Sequence, residues 1–165
     1  MYVYFLIDDD EEADRRGGNM TDNRETIGDY ILLDKLGKGA YGVVYKAINI
    51  YEGNTVAVKK LSLKGCSKEV VDSLTAEIAL LKSLDHDNIV RYIDHIKREK
   101  ELNIVMEYVE NGSLAHMVKK CGRFPESLAK TYTRKVLVGL DYLHDQGNKV
   151  TLFTYIYIYL NRSYS

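Results

Sequence analysis

The chain has 165 residues, 45% apolar and 28% charged, which is enough to bury a core and too apolar for a disordered tail. Its 23 Lys and Arg against 24 Asp and Glu leave a net charge of -1, without the basic excess of a general nucleic-acid binder. Two cysteines, Cys66 and Cys121, make no disulfide framework and match no zinc spacing, and no apolar run approaches the roughly 18–20 residues of a membrane span.

The chain opens with a short apolar run at 2–7, then Asp8, Asp9, Asp10, Glu11 and Glu12. A secretory signal has positive charge before its apolar region, so this order points to a reducing, cytoplasmic setting. Residues 1–27 read as a disordered acidic extension, with Met20 as an alternative start. From residue 28 the pattern changes. Segments 30–36 and 43–50 are rich in β-formers and flank Gly37-Lys38-Gly39-Ala40-Tyr41-Gly42. A tight turn at Glu52-Gly53-Asn54 leads to a third strand at 55–61. Short links between three strands predict an antiparallel meander.

Val70, Leu74, Leu81 and Leu84 then form an apolar stripe at helical spacing. Segments 89–96 and 101–109 read as two more strands. The first is broken by charges; the second holds Leu102-Asn103-Ile104-Val105-Met106, the pattern of a buried strand. Asn111-Gly112-Ser113 is a turn that can start a helix at Ser113. Pro125 opens a second long helix, with Leu128, Tyr132, Val136, Leu140 and Leu143 on its apolar face and a stop at Asp145-Gln146-Gly147. The elements make an α+β fold.

Three features carry chemistry. Glycines at 37, 39 and 42 let backbone N–H groups approach phosphate oxygens. In a dinucleotide-binding unit such a turn leads into a helix; here it leads into a strand, which describes a flexible lid or a plain hairpin. In Val56-Ala57-Val58-Lys59-Lys60, alternation puts Ala57 and Lys59 on one face and Val56, Val58 and Lys60 on the other. Ala57 is small enough to admit a flat ring beside Lys59. Finally, Glu77 lies on the apolar stripe, three residues after Leu74 and four before Leu81. A carboxylate there either pairs with a cation, with Lys59 the natural candidate, or sits at the stripe's edge and reaches water.

In this order, the glycine hairpin, strand lysine, helix glutamate and buried strand ending in Met106-Glu107-Tyr108-Val109 resemble the N-terminal lobe of a protein kinase. The expected fold is a five-stranded antiparallel sheet plus helix C over 28–110, with the hinge included. Residues 111–147 would be the start of the C-lobe, with helices D and E. The sequence Glu107-Tyr108-Val109-Glu110-Asn111-Gly112-Ser113-Leu114, with Phe124-Pro125-Glu126, looks most like the MAP kinase kinase kinase epsilon and septation-initiation kinases, Ser/Thr kinases of the Sterile-type group.

The resemblance implies that ATP binds here. Backbone at Gly37, Lys38, Gly39, Ala40, Tyr41 and Gly42 would cover its phosphates. Lys59, oriented by Glu77, would contact the α- and β-phosphates. Val44 and Ala57 would pack on adenine, Met106 would be the gatekeeper, and the Glu107 carbonyl and Val109 N–H would bond the adenine edge. Protein substrates and signalling-cascade partners follow from the same resemblance.

The pattern breaks after Gly147. A kinase of this type continues into His-Arg-Asp, whose Asp accepts the substrate proton, and into residues that hold Mg²⁺. Positions 148–165 contain neither and resemble nothing in the family. The expectation is therefore a catalytically incompetent chain, with no catalytic residues and no metal ligands. Tail residues Thr154-Tyr155-Ile156-Tyr157-Ile158-Tyr159-Leu160 alternate Tyr with apolar residues and carry no charge, an aggregation hazard where exposed. Asn, Lys, Tyr, Ile and Phe are what AT-rich DNA encodes, and Gly147-Asn148 can be written GGT-AAT, which contains a donor-like GTAAT. A retained intron, or a gene model that runs through one, is the first expectation; a short isoform or a frameshift are the alternatives. Transcript sequencing across this junction should find spliced reads running into a His-Arg-Asp loop, and their absence would sink the intron reading.

Overall fold

The computed structural model describes residues 24–39, 42–110 and 114–146. Their elements in chain order are β1 (Thr26–Ile27), β2 (Tyr30–Gly39), β3 (Gly42–Asn49), β4 (Thr55–Ser62), α1 (Lys68–Ser83), β5 (Tyr92–Arg98), β6 (Glu101–Glu107), α2 (Leu114–Cys121) and α3 (Glu126–Asp145). Among the described residues they fall into two compact units. One comprises 24–64 and 94–108, the other 65–93 and 109–146.

The first unit is a six-stranded sheet in the order β1-β2-β3-β4-β6-β5. The expected meander holds through β2, β3 and β4, which pair antiparallel in sequence. A sixth strand joins the five expected: Thr26 and Ile27, read as the end of the extension, pair with Ile31 and Tyr30. Ile27 is fully buried in the core, which the acidic character of the preceding residues conceals. After α1 the chain does not add its strands in sequence. β6 pairs with β4, and β5 takes the outer edge. Hydrophobicity explains the exchange. The interior of β6 is buried along its whole length, as a strand covered on both faces must be. β5 carries Asp94, His95, Lys97 and Arg98, which an edge strand can leave in water.

One face of the sheet forms a core of Ile27, Tyr30, Leu32, Ala47, Val56, Val58 and Val105, with Tyr45 and Ile96 against it. Burial of Tyr30 pushes its hydroxyl pKa up, and the charge of Asp94 adds to the rise. Asn103 is fully buried on β6 and donates from Nδ2 to the Ile96 carbonyl on β5, 3.3 Å away, a bond beyond the strand ladder.

In the second unit, α1 begins after Ser67, with Glu69 in its first turn where the helix dipole favours an acid. The predicted stripe is half right. Leu84 is buried, Leu74 and Leu81 are half-buried, but Val70 is exposed, and Ile78 is the most buried side chain described on the helix. α3 follows directly on Pro125, whose φ of -53° suits a helix entry. Leu143 of α3, with Leu84 and Ile89, makes this unit's core. The Asp85 N–H donates to Tyr142 Oη at 3.2 Å, and the His86 ring stacks on Tyr142 with centroids 4.8 Å apart. Gly139 lets α3 approach closely, since a Cβ there would lie 3.3 Å from the Asn88 carbonyl oxygen.

Segment 1–23, turn residues 40 and 41, the 111–113 turn and the 147–165 tail lie outside the described residues.

On β4, Lys60 donates to the Glu25 carboxylate and lies 3.5 Å from Glu101. The hydrogen bond from Lys60 to Glu25 is the main reason that the Lys60 pKa stands above its ordinary 10.5; burial opposes it, and the Glu25 and Glu101 charges add to it. A raised lysine pKa contributes stability that is complete below the ordinary value and is lost as pH climbs through the raised one. Glu25 is nearly half exposed, so solvent screening keeps the contribution to about 0.5 kcal/mol. Lys60→Met should cost that much in urea melts at neutral pH and low salt. The difference should shrink in 1 M salt and disappear at pH values above the raised Lys60 pKa.

Candidate functional site

The site residues stand on the sheet face opposite the core. The β3–β4 ladder pairs Val44 with Lys59 and Lys46 with Ala57. The β4–β6 ladder pairs Lys59 with Ile104 and Ala57 with Met106. Two rows result, Val44–Lys59–Ile104 and Lys46–Ala57–Met106. Side chains alternate along a strand, so Val56 and Val58 point into the core while Ala57 and Lys59 point the other way, as the sequence predicts.

Val44, Ala57, Ile104 and Met106 are all buried, and Lys59 between them is only 5% exposed. An ammonium in such company is costly unless charge or hydrogen-bond acceptors meet it. The face therefore combines an apolar platform, made shallow by Ala57, with the buried Lys59 in one row and the half-buried Lys46 in the next.

The glycine segment is more regular than a lid hung from two strand ends. Gly37 pairs with Val44, Lys38 with Val43 and Gly39 with Gly42, so β2 and β3 stay laddered up to residues 39 and 42. Two register irregularities, between Leu32 and Lys35 and between Lys35 and Gly37, bend β2 just before the glycines. The backbone of Gly42 also runs hard against β4. A Cβ at Gly42 would lie 2.2 Å from the Lys60 carbonyl oxygen, where no side chain fits.

Of the residues singled out in the sequence, the sheet unit brings together Gly37, Lys38, Gly39, Gly42, Val44, Ala57, Lys59, Met106 and Glu107. Ala40 and Tyr41 lie outside the described residues. Glu77 falls within α1, and Val109 lies two residues past the end of β6; both belong to the other unit. The Glu77 side chain is outside the description, so its expected pairing with Lys59 is too.

Sequence reasoning missed Ile104, which completes the row through Lys59. The alternation of Leu102, Ile104 and Met106 is the signal that locates it. It also missed Lys46, whose Nζ stands 5.0 Å from the centroid of the Tyr108 ring. Among the described residues, no three His, Cys, Asp or Glu side chains gather where they could hold a metal ion.

Comparison with known proteins settles the class. The family model for the protein kinase domain matches residues 30–151, and the chain belongs to that family. Among its relatives is cytokinesis protein sepH of Emericella nidulans, 48% identical over 140 residues that cover 85% of this chain and 10% of the relative. MAP3K epsilon protein kinase 1 of Arabidopsis thaliana is 50% identical over 120 residues, covering 72% of this chain and 9% of the relative. Cell division control protein 7 of Schizosaccharomyces pombe is 50% identical over 116 residues, 70% of this chain and 11% of that one. The chain thus spans about a tenth of the length of these curated relatives. A crystal structure of Rad53 1–466 in complex with AMP-PNP shares the fold, with a TM-score of 0.65 and 31% identity, and covers 72% of this chain and 31% of that one. The resemblance to the MAP3K epsilon and septation-type kinases, and to a kinase N-lobe, holds on these findings.

The contact between Gly42 and the Lys60 carbonyl yields a direct test. Gly42→Ala should destabilise the chain by about 1–3 kcal/mol in denaturant melts, the range for forcing an extra carbon into a packed site. A melting curve that superposes on the unsubstituted one would show that the hairpin can lift away from β4 at no cost.

Proposed function

We propose that this chain is the ATP-binding part of a Ser/Thr protein kinase of the Sterile-type group. The observation that carries the reading is Lys59, buried on an apolar sheet face between Val44 and Ile104 and beside Ala57. A planar apolar base with an anionic tail is the ligand class that complements this face. Val44 and Ala57 offer packing for adenine, and Met106 borders it as gatekeeper. Lys59 offers its charge to the α- and β-phosphates. The glycines at 37, 39 and 42 put no side chain between the hairpin backbone and phosphate oxygens. The Glu107 carbonyl and the Val109 N–H take the adenine edge, and Glu77 orients Lys59, on the strength of the family resemblance. ATP, when bound, supplies the phosphoryl group that such kinases transfer.

These 165 residues include neither a His-Arg-Asp nor an Asp-Phe-Gly motif. Phosphoryl transfer rests on positioning and on charge neutralisation by metal, so these residues bind nucleotide without turning it over. That favours a second reading, a non-catalytic regulatory or decoy fragment, for this 165-residue form. By its family, the kinase in which this portion works would act on protein Ser or Thr within a cytoplasmic signalling cascade. Among the described residues, no helix is long and apolar enough to cross a membrane.

Thermal melts with and without ATP and Mg²⁺ test the proposal. A ligand at ten times its Kd stabilises the folded state by about 1.4 kcal/mol. ATP should raise the Tm of the unsubstituted chain, and Lys59→Met should lose most of that rise while folding normally without nucleotide. Radiolabelled ATP should give no phosphate transfer to a generic protein substrate. Equal stabilisation of Lys59→Met would refute the role of Lys59, and measurable transfer would refute catalytic incompetence.

A further inference from the structure

We propose that Lys46 and Tyr108 are positioning residues that hold the adenine-reading backbone in place before any nucleotide arrives. The inference rests on the nucleotide reading above for its consequence, but the contact itself is structural. The β4–β6 ladder ends at the pair Val56–Glu107. Tyr108 is the first residue beyond it, where strand hydrogen bonds no longer fix φ and ψ. It lies between Glu107 and Val109, the two residues whose backbone groups are assigned to the adenine edge. Something other than the ladder has to set the course of the chain there.

The Tyr108 ring supplies it. Lys46 Nζ stands 5.0 Å from the ring centroid, inside the range of a cation–π contact. Lys46 is on β3, two strands away from β6, about 10 Å at ordinary strand spacing. A lysine stem can cover much of that distance only if the residue between is small. That residue is Ala57, which pairs with Lys46 on one side and with Met106 on the other. Ala57, with only a methyl group, does not obstruct the span from β3 to β6. Both Lys46 and Tyr108 are half-buried, so the contact is partly shielded from water.

A contact of this kind is worth about two- to fivefold in an equilibrium constant. The effect should fall on recognition of the base and not on the phosphates, because Tyr108 joins Glu107 to Val109, which take the adenine edge in that reading. Four variants of the 165-residue chain separate these effects. Lys46→Met and Tyr108→Leu remove the contact; Lys46→Arg and Tyr108→Phe keep a cation over an aromatic ring.

The first measurement is amide hydrogen exchange over residues 107–110 without nucleotide. The second is affinity for AMP-PNP compared with affinity for inorganic tripolyphosphate. Removing the contact should speed exchange at these amides and weaken AMP-PNP about two- to fivefold, with tripolyphosphate unchanged. The two conservative variants should behave as the unsubstituted chain does. Unchanged exchange in Lys46→Met and Tyr108→Leu overturns the proposal. So does faster exchange with unaltered AMP-PNP affinity, or an equal loss for tripolyphosphate. If the unsubstituted chain binds no AMP-PNP at all, the nucleotide reading fails, and with it the role of the pair in base recognition. Hydrogen exchange then decides separately whether the contact holds the backbone: faster exchange in the two disruptive variants supports it, and unchanged exchange refutes it.

Discussion

Everything at the candidate site depends on the register of three strands. β4 lies between β3 and β6, and its pairings place Lys59 opposite Val44 on one side and Ile104 on the other. Side chains alternate along a strand, so a slip of one residue would send Lys59 into the core and bring Val58 out onto the site face. Burial holds the register. Val56, Val58 and Val105 are almost wholly enclosed on the core face, and exposing them together would cost several kcal/mol at about 1.5–3 kcal/mol for each large apolar side chain. The apolar packing on one side of the sheet is therefore what aims Lys59 on the other.

Strand order follows from the same need to cover apolar surface. β6 comes after β5 in the chain yet lies inside it in the sheet. Its residues 102–106 are buried without a break, and only a central strand offers cover on both faces. β5, with its charges, tolerates the edge. The buried Asn103 amide bonds the Ile96 carbonyl across these strands and adds a polar constraint to an otherwise apolar pairing. The arrangement puts Met106 next to Ala57, which is why Met106 and Lys59, far apart in sequence, share one surface.

Much of this was legible in the residues. The alternation in 56–60 located Lys59 and Ala57 correctly, and the glycines announced a hairpin between strands. The apolar run at 102–106 announced a buried strand. Other features were not legible, for physical reasons. Ile27 follows a polar, acidic stretch, and only its pairing partners on β2 reveal it as core. Val70 fits the helical stripe of α1 but lies exposed, whereas Ile78 is buried; periodicity identifies a face but not its ends. Nothing in the residues around Lys46 marks it out, because Tyr108, whose ring it stands by, is 62 residues away in the chain.

The sequence by itself determined the family, the chemistry on offer and the face from which it is offered. Those properties reside in local pattern: glycine spacing, strand alternation and the order of motifs. Only the tertiary structure decided which strands become neighbours, that Gly42 must be glycine because the Lys60 carbonyl is in the way, and that Lys46 stands by the Tyr108 ring. These are distances between residues remote in the chain, set by competition among strands for the few places where apolar surface can be covered on both sides.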